Sequence, residues 1–123
     1  LCIEAGELRM VYNGFGEFTR LAPVKAQVGK HALTFEFEAL GKRRGRGRLL
    51  IDGQAAIASG DWTDCSPTLM GGFHEGLDIG LDRRAPVDWA LYQRRGIFRY
   101  SGSIRDVIID SSSFAPGSAY AKG

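Results

Sequence analysis

HALTFEFEALGKRRGRGRLLI, residues 31–51, decides the fold. From His31 to Ala39, Leu33, Phe35 and Phe37 alternate with Thr34, Glu36 and Glu38, the period of two that gives a strand one buried face. Gly41 to Gly45 reads as a turn, and Arg46 to Ile51 as the returning strand. One register satisfies the whole stretch. If Glu38 lies opposite Arg46, then Glu36 faces Arg48 on the outside, while Phe35 faces Leu49 and Leu33 faces Ile51 on the inside. Charge pairs and apolar pairs then agree, which is how a register becomes fixed.

Working outward, Asp52-Gly53 sits between Leu49-Leu50-Ile51 and Gln54-Ala55-Ala56-Ile57. This is a two-residue hairpin signal, because a type I′ turn needs positive φ at both central positions. Upstream, Glu7 to Asn13 alternates Leu8, Met10 and Tyr12 with Arg9 and Val11, and stops at Asn13-Gly14. Phe18 to Ala22 is expected to form a short strand ended by Pro23. Downstream, Leu77 to Ile79, Phe98 to Ser101 and Ser103 to Asp110 read as strands, the last with a β-bulge around Arg105-Asp106. Asp88 to Arg94 has room for one helical turn. No segment sustains a 3.6-residue period, so the pattern predicts an all-β, antiparallel sandwich or barrel. Residues 1–110 are expected to form that domain and 111–123 an irregular polar tail, with no second domain and no internal repeat.

The composition agrees. With 123 residues, 44% hydrophobic and 24% charged, the chain is long enough for one domain and apolar enough for a core. Seventeen glycines suit short strands and tight turns better than helices. No apolar run approaches the ~20 residues of a membrane span, so no membrane partner is expected. The start, Leu1-Cys2-Ile3-Glu4, lacks the basic and apolar regions of a signal peptide. It also lacks an initial methionine, and the chain is expected to be a fragment or a processed product. Two cysteines, Cys2 and Cys65, are too few for a disulfide framework and do not have zinc-ligand spacing.

Five stretches in order resemble the C-terminal accessory domain of bacterial arylsulfatases: LRMVYN at 8–13, GKHALTFEFE at 29–38, RLLIDG at 48–53, LDIGLDRRAPV at 77–87 and FRYSGSIRDVII at 98–109. In that family they correspond to a V-Y-N strand, a G-x-H-x-L-x-F-x-F strand, a V-D-G hairpin, a D-x-G-x-D-x-x-x-P-V loop and an F-x-F-x-G-x-I-x-x-V-x-I closing pair. The resemblance implies a lectin-like, concanavalin A-like or jelly-roll β-sandwich appended to a catalytic sulfatase domain. It further implies that the first strands of the domain are missing, which would expose a sheet edge and favour a homo-oligomer. A bacterial origin follows from the same likeness, with cytoplasm and periplasm both open.

Several residues invite a chemical reading. Cys65-Ser66-Pro67-Thr68 looks like the C-x-P-x-x-R signature whose cysteine becomes the sulfatase nucleophile, but Leu69 and Met70 stand where the arginine should follow. Sulfate-ester hydrolysis also needs a metal held by several carboxylates, with cations on the transferring group. Cys65 is therefore expected to be an ordinary loop cysteine, and the chain is not expected to be an enzyme. Asp78, Asp82 and Asp88 are spaced like a small oxygen-ligand cluster, and Gly80 could turn backbone toward an ion. A structural calcium is the functional reading, and the plainer one makes Asp78 an outward strand residue and Asp82 the cap of a turn. No cofactor is required.

Trp62 and Trp89 lie in loop-like contexts and are the two candidates for stacking on a carbohydrate, although aromatics in a small sandwich are more often core. Lys42, Arg43, Arg44, Arg46 and Arg48 could contact phosphates. Glu36 and Glu38 take two of those arginines as cross-strand partners, and no aromatics interleave with the run, so no nucleic-acid partner is expected. His31 and His74 are far apart in sequence and suggest no catalytic pair. The sequence thus points to a non-catalytic sandwich that packs against a sulfatase catalytic domain or oligomerises. The alternative is a free-standing lectin-like module that binds carbohydrate. An apolar face would favour the first, and a concave polar groove the second.

Overall fold

The computed structural model describes residues 1–14, 16–54, 58–62 and 77–110. Their regular structure is β apart from one short helix. The strands are β1 (Cys2–Glu4), β2 (Glu7–Arg9), β3 (Val11–Gly14), β4 (Glu17–Arg20), β5 (Val24–Lys25), β6 (Leu33–Gly41), β7 (Arg44–Ile51) and β8 (Ala58–Trp62), and the helix is α1 (Trp89–Arg95). Every strand pairing is antiparallel. The strands form three sheets, β1-β2-β5, β3-β4 and β6-β7-β8, an all-β, sandwich-like fold as the alternation predicted. The chain divides into two compact units, residues 1–66 with 111–123, and residues 67–110.

The hairpin that decided the fold forms in the predicted register. Leu33 lies opposite Ile51, Phe35 opposite Leu49, Glu36 opposite Arg48 and Glu38 opposite Arg46. The turn is tighter than the sequence suggested, with Lys42 and Arg43 at φ 50° and 61° and β7 already resuming at Arg44. Gly41, at φ 78°, takes up the register shift between Ala39 and Gly41. Along β7 the arginines at 44, 46 and 48 are exposed, while Gly45, Gly47, Leu49 and Ile51 are buried. This is period-two alternation on a central strand.

The predicted Asp52-Gly53 turn also forms, with φ of 54° and 70°, and Gln54 N–H donates to Ile51 O at 3.1 Å. The described return strand pairs Leu49 with Ala58, so it runs two residues later than a two-residue hairpin would place it. The expected return at Gln54–Ile57 falls largely on residues 55–57, outside the described set.

Leu8, Leu21, Leu49, Ile51 and Trp62 form the buried core, with Ile3, Met10, Tyr12, Val24 and Phe35 packed against it. Trp62 is the centrepiece. Tyr12, Phe35 and Phe37 meet it edge-on, with centroids 5.8, 6.2 and 5.8 Å away, the T-shaped geometry that aromatic quadrupoles favour. Its ring lies over Gly47, where a Cβ would overlap Cη2 and Cζ3 of the indole. Gly60 plays the same part under Leu21, whose Cδ2 would be 2.6 Å from a Cβ there. Both glycines leave room in the β6-β7-β8 sheet, Gly47 for Trp62 of the neighbouring strand β8 and Gly60 for Leu21, which follows β4.

Several expectations are corrected. The strand read over Glu7–Asn13 is two strands in different sheets, parted at Met10, whose carbonyl accepts from Leu21 N–H at 3.1 Å. Leu8, Met10 and Tyr12 keep their inward phase across this corner. The strand expected at Phe18–Ala22 forms over Glu17–Arg20 and ends ahead of Pro23, and a separate short strand, Val24–Lys25, follows and pairs with β2. Leu33 and Phe37 point inward but stay 43% and 51% exposed, since β6 is an edge strand and its inward side chains are covered on one flank only.

Finally, the strands expected at Leu77–Ile79, Phe98–Ser101 and Ser103–Asp110 are not formed, and neither is the bulge at Arg105-Asp106. In their place are an isolated bridge between Leu81 and Arg99 and the bond from Tyr100 N–H to Gly80 O at 2.7 Å. Alternation supplies a face but no neighbour, and among the described residues these segments have no strand to pair with. Asp88–Arg94 gives more than one turn. Helix α1 runs over seven residues, capped by Asp88 in front and Gly96 behind. The tail 111–123 lies outside the described residues.

Candidate functional site

The first predicted charge pair is made. Arg48 Nη2 lies 2.8 Å from Glu36 Oε2. The second is redirected. Arg46 stands opposite Glu38, but its Nε and Nη2 donate to Asp61 on β8 at 2.8 and 3.4 Å. This fork draws the Asp61 carboxyl below its usual range, and the same bonds hold the Arg46 guanidinium more firmly protonated. Glu38 acts on Arg46 through charge alone. A third carboxylate, on the strand that the sequence left undefined, thus takes the arginine from its predicted partner.

Trp62 and Trp89 have opposite environments. Trp62 is 2% exposed, so it is the core residue of β8 and presents no face to a ligand. Its indole Nε1 is buried without an acceptor among the described residues. Trp89, 53% exposed, opens α1 and stacks on Tyr92 with centroids 5.1 Å apart and planes 29° from parallel. The spacing of three residues puts both rings on one helix flank.

Of the three aspartates, Asp82 closes a local turn as the plainer reading expected, while Asp78 does not lie on a strand. Asp78 accepts from Arg83 N–H at 2.9 Å and from Arg83 Nε at 3.0 Å, and the backbone bond first, then the guanidinium, lowers its pKa. Asp82 accepts from Val87 N–H at 2.9 Å. Asp88 accepts from Ala90 and Leu91 N–H at 3.1 and 3.3 Å as the cap of α1. Each carboxylate closes its own stretch of backbone. Among the described residues no group of three metal-ligating side chains converges. Cys65 and His74 lie outside the described residues.

Sequence reasoning missed one polar cluster. His31 Nδ1 is 2.7 Å from Asp52 Oδ2, and its Nε2 is 3.1 Å from Val28 O. Asp52 Oδ1 accepts from Ala32 N–H at 2.9 Å, while Asp52 N–H donates to Ala32 O at 2.8 Å. The register contained the signal, because extending Leu33↔Ile51 by one step sets Ala32 beside Asp52 with His31 adjacent. The Asp52 carboxylate and then the Val28 carbonyl raise the His31 pKa, and Asp52 is lowered in return. A general base needs one ring nitrogen open to substrate. Here both nitrogens face protein oxygens, which makes the pair a clasp between the entry to β6 and the turn after β7.

The unit at residues 67–110 has a different character. None of its described residues is buried. Leu77, Ile79, Ile97, Ile104, Ile108 and Ile109 are 66%, 53%, 57%, 48%, 88% and 68% exposed. Isolated exposed aliphatics are ordinary, and their concentration in one short unit sets these residues apart from the buried core around Trp62. Compared with known protein families, characterised proteins and solved structures, the chain matches none.

Proposed function

We propose that this chain is a non-catalytic β-rich accessory domain of a sulfatase-like sulfuric ester hydrolase, built to pack against a catalytic domain or to form an oligomer. The observation that carries the reading is the exposed aliphatic surface of residues 77–110, since a packing domain needs an apolar face and a free lectin needs a polar groove. The five ordered stretches that resemble the arylsulfatase accessory domain supply the identity of the partner. Concanavalin A-like or jelly-roll topology belongs to the same proposal.

The reading frame upstream of Leu1 tests it. An encoded α/β domain with a full Cys-x-Pro-x-x-Arg signature and metal-binding carboxylates is the expected result. A frame that opens at or near Leu1 would remove the parent enzyme. The protein–protein part has its own check in sedimentation velocity, where Ile104→Asp with Ile108→Asp should reduce any self-association.

A second reading is favoured by the Trp89–Tyr92 stack, which is exposed and ordered on a capped helix. In this reading the pair is a carbohydrate platform. Quenching of Trp89 fluorescence by an oligosaccharide, lost in Trp89→Ala, would support it. A flat titration across a glycan panel would leave packing as the function.

A further inference from the structure

We propose that the open edge of β6 is a docking site for an extended strand of a partner protein in which apolar residues alternate with basic ones. The proposal stands on the geometry of the edge and does not depend on the sulfatase-like reading.

Backbone geometry comes first. Among the described residues β6 pairs on one side only, with β7. Asp52 N–H donates to Ala32 O at 2.8 Å, one step beyond the Leu33↔Ile51 pair. Hydrogen-bonded and non-hydrogen-bonded pairs alternate along an antiparallel ladder. Thr34, Glu36 and Glu38 therefore exchange their backbone bonds with β7. Leu33, Phe35 and Phe37 turn N–H and C=O toward the open side. A long, regular edge of this kind is a template for another strand.

Side chains define what kind of strand fits. On the inner face, Leu33 and Phe37 are 43% and 51% exposed, although Phe37 also touches the Trp62 ring edge-on. A neighbouring strand with apolar inward residues would cover them. On the outer face Glu36 and Glu38 stand in a row. Glu36 already shares Arg48, but Arg46 has turned to Asp61, and Glu38 makes no ion pair among the described residues. Basic residues at alternate positions of the incoming strand would meet both carboxylates. The molecule contains this pattern once already, because Arg44, Arg46 and Arg48 outside and Gly45, Gly47, Leu49 and Ile51 inside are what the other edge of β6 recognises.

The same charges argue against a second copy as the occupant. Antiparallel β6–β6 pairing over all nine residues would centre on Phe37 and set Glu36 against Glu38 of the neighbour, twice. Like charges directly opposite one another destabilise a sheet.

The test uses the whole chain and a fluorescein-labelled peptide, RGRGRLLI, that copies Arg44–Ile51, followed by anisotropy at low salt. Saturable binding that weakens with added salt is expected. Glu38→Lys should weaken it by roughly two- to five-fold, the span into which a cross-strand charge pair converts. A peptide N-methylated at alternate amides should not bind, because it keeps the side chains and loses the ladder. A peptide with its arginines replaced by glutamates should not bind either. Equal binding of either altered peptide, or no saturation with RGRGRLLI, overturns the proposal. So does a dimer in sedimentation that RGRGRLLI fails to dissociate and Glu38→Lys strengthens, since the occupant is then a second copy.

Discussion

Replacing Gly47 with alanine adds one methyl group at the most crowded point of the molecule. Its backbone φ is not in the left-handed region, so the cost is steric. The new Cβ would overlap Cη2 and Cζ3 of Trp62 and lie 3.0 Å from Cε2 of Phe35. The indole cannot easily yield, because it is 2% exposed and wedged between Tyr12, Phe35 and Phe37. Overpacking of a filled core costs about 1–3 kcal/mol, and the rigid surroundings place this case near about 3 kcal/mol. For a chain of this size the melting temperature should fall by about 10 °C. Urea unfolding followed by far-UV circular dichroism measures it, and the double mutant with Trp62→Leu supplies the control. With the indole gone the methyl group has space, so Gly47→Ala should cost at most about 0.5 kcal/mol in that background. An equal penalty in both backgrounds, or a near-zero penalty in the parent, would refute the claim that the glycine exists to seat the tryptophan.

Other consequences are quickly checked. Phe35→Ala should destabilise by about 2 kcal/mol in the same unfolding assay, below the 3–5 kcal/mol range of a fully buried phenylalanine, because Phe35 is half-buried on an edge strand. The His31–Asp52 clasp fixes a pH dependence. Since His31 is raised from 6.5, its contribution is complete below 6.5 and is lost as pH rises through the folded value. Asp52 is lowered from 3.8, so its contribution is complete above 3.8 and is lost as pH falls through its folded value. The clasp is therefore strongest between the two, and the His31 Hε1 NMR titration should have a midpoint above 6.5 that Asp52→Asn moves down. A midpoint unchanged by Asp52→Asn would remove the carboxylate as the cause. The exposed Glu36–Arg48 pair should show a coupling of at most about 1 kcal/mol in a double-mutant cycle. Asp88→Ala should cost about 1 kcal/mol by uncapping α1, seen as lost helical signal.

What the sequence could deliver depended on whether a residue's partner was local. The β6–β7 register was legible because charge and hydrophobicity selected the same pairing at four positions on each strand, and the Asp52-Gly53 turn because its φ demand is written in two residues. Arg46 was misassigned for the opposite reason, since Asp61 reaches it only across β8, and β8 has little alternation of its own. Trp62 looked like a loop residue between Asp61 and Thr63 because nothing nearby reveals that Gly47 leaves a hole for it. The segments at 77–79 and 98–110 have the composition of strands, yet strand formation needs a neighbour, and composition cannot supply one. His31 was passed over because a histidine's partner was sought in motifs, when one more step of the register would have found it.

The corner at Met10 imposes a parity rule on this protein. The chain leaves the β1-β2-β5 sheet and enters the β3-β4 sheet without losing step, so Leu8, Met10 and Tyr12 all stay on the inside. One residue inserted there would send Tyr12 outward and leave Trp62 without that neighbour, whereas two would restore the phase. Length changes at this corner should therefore be tolerated in even numbers, although either lengthens the same bend.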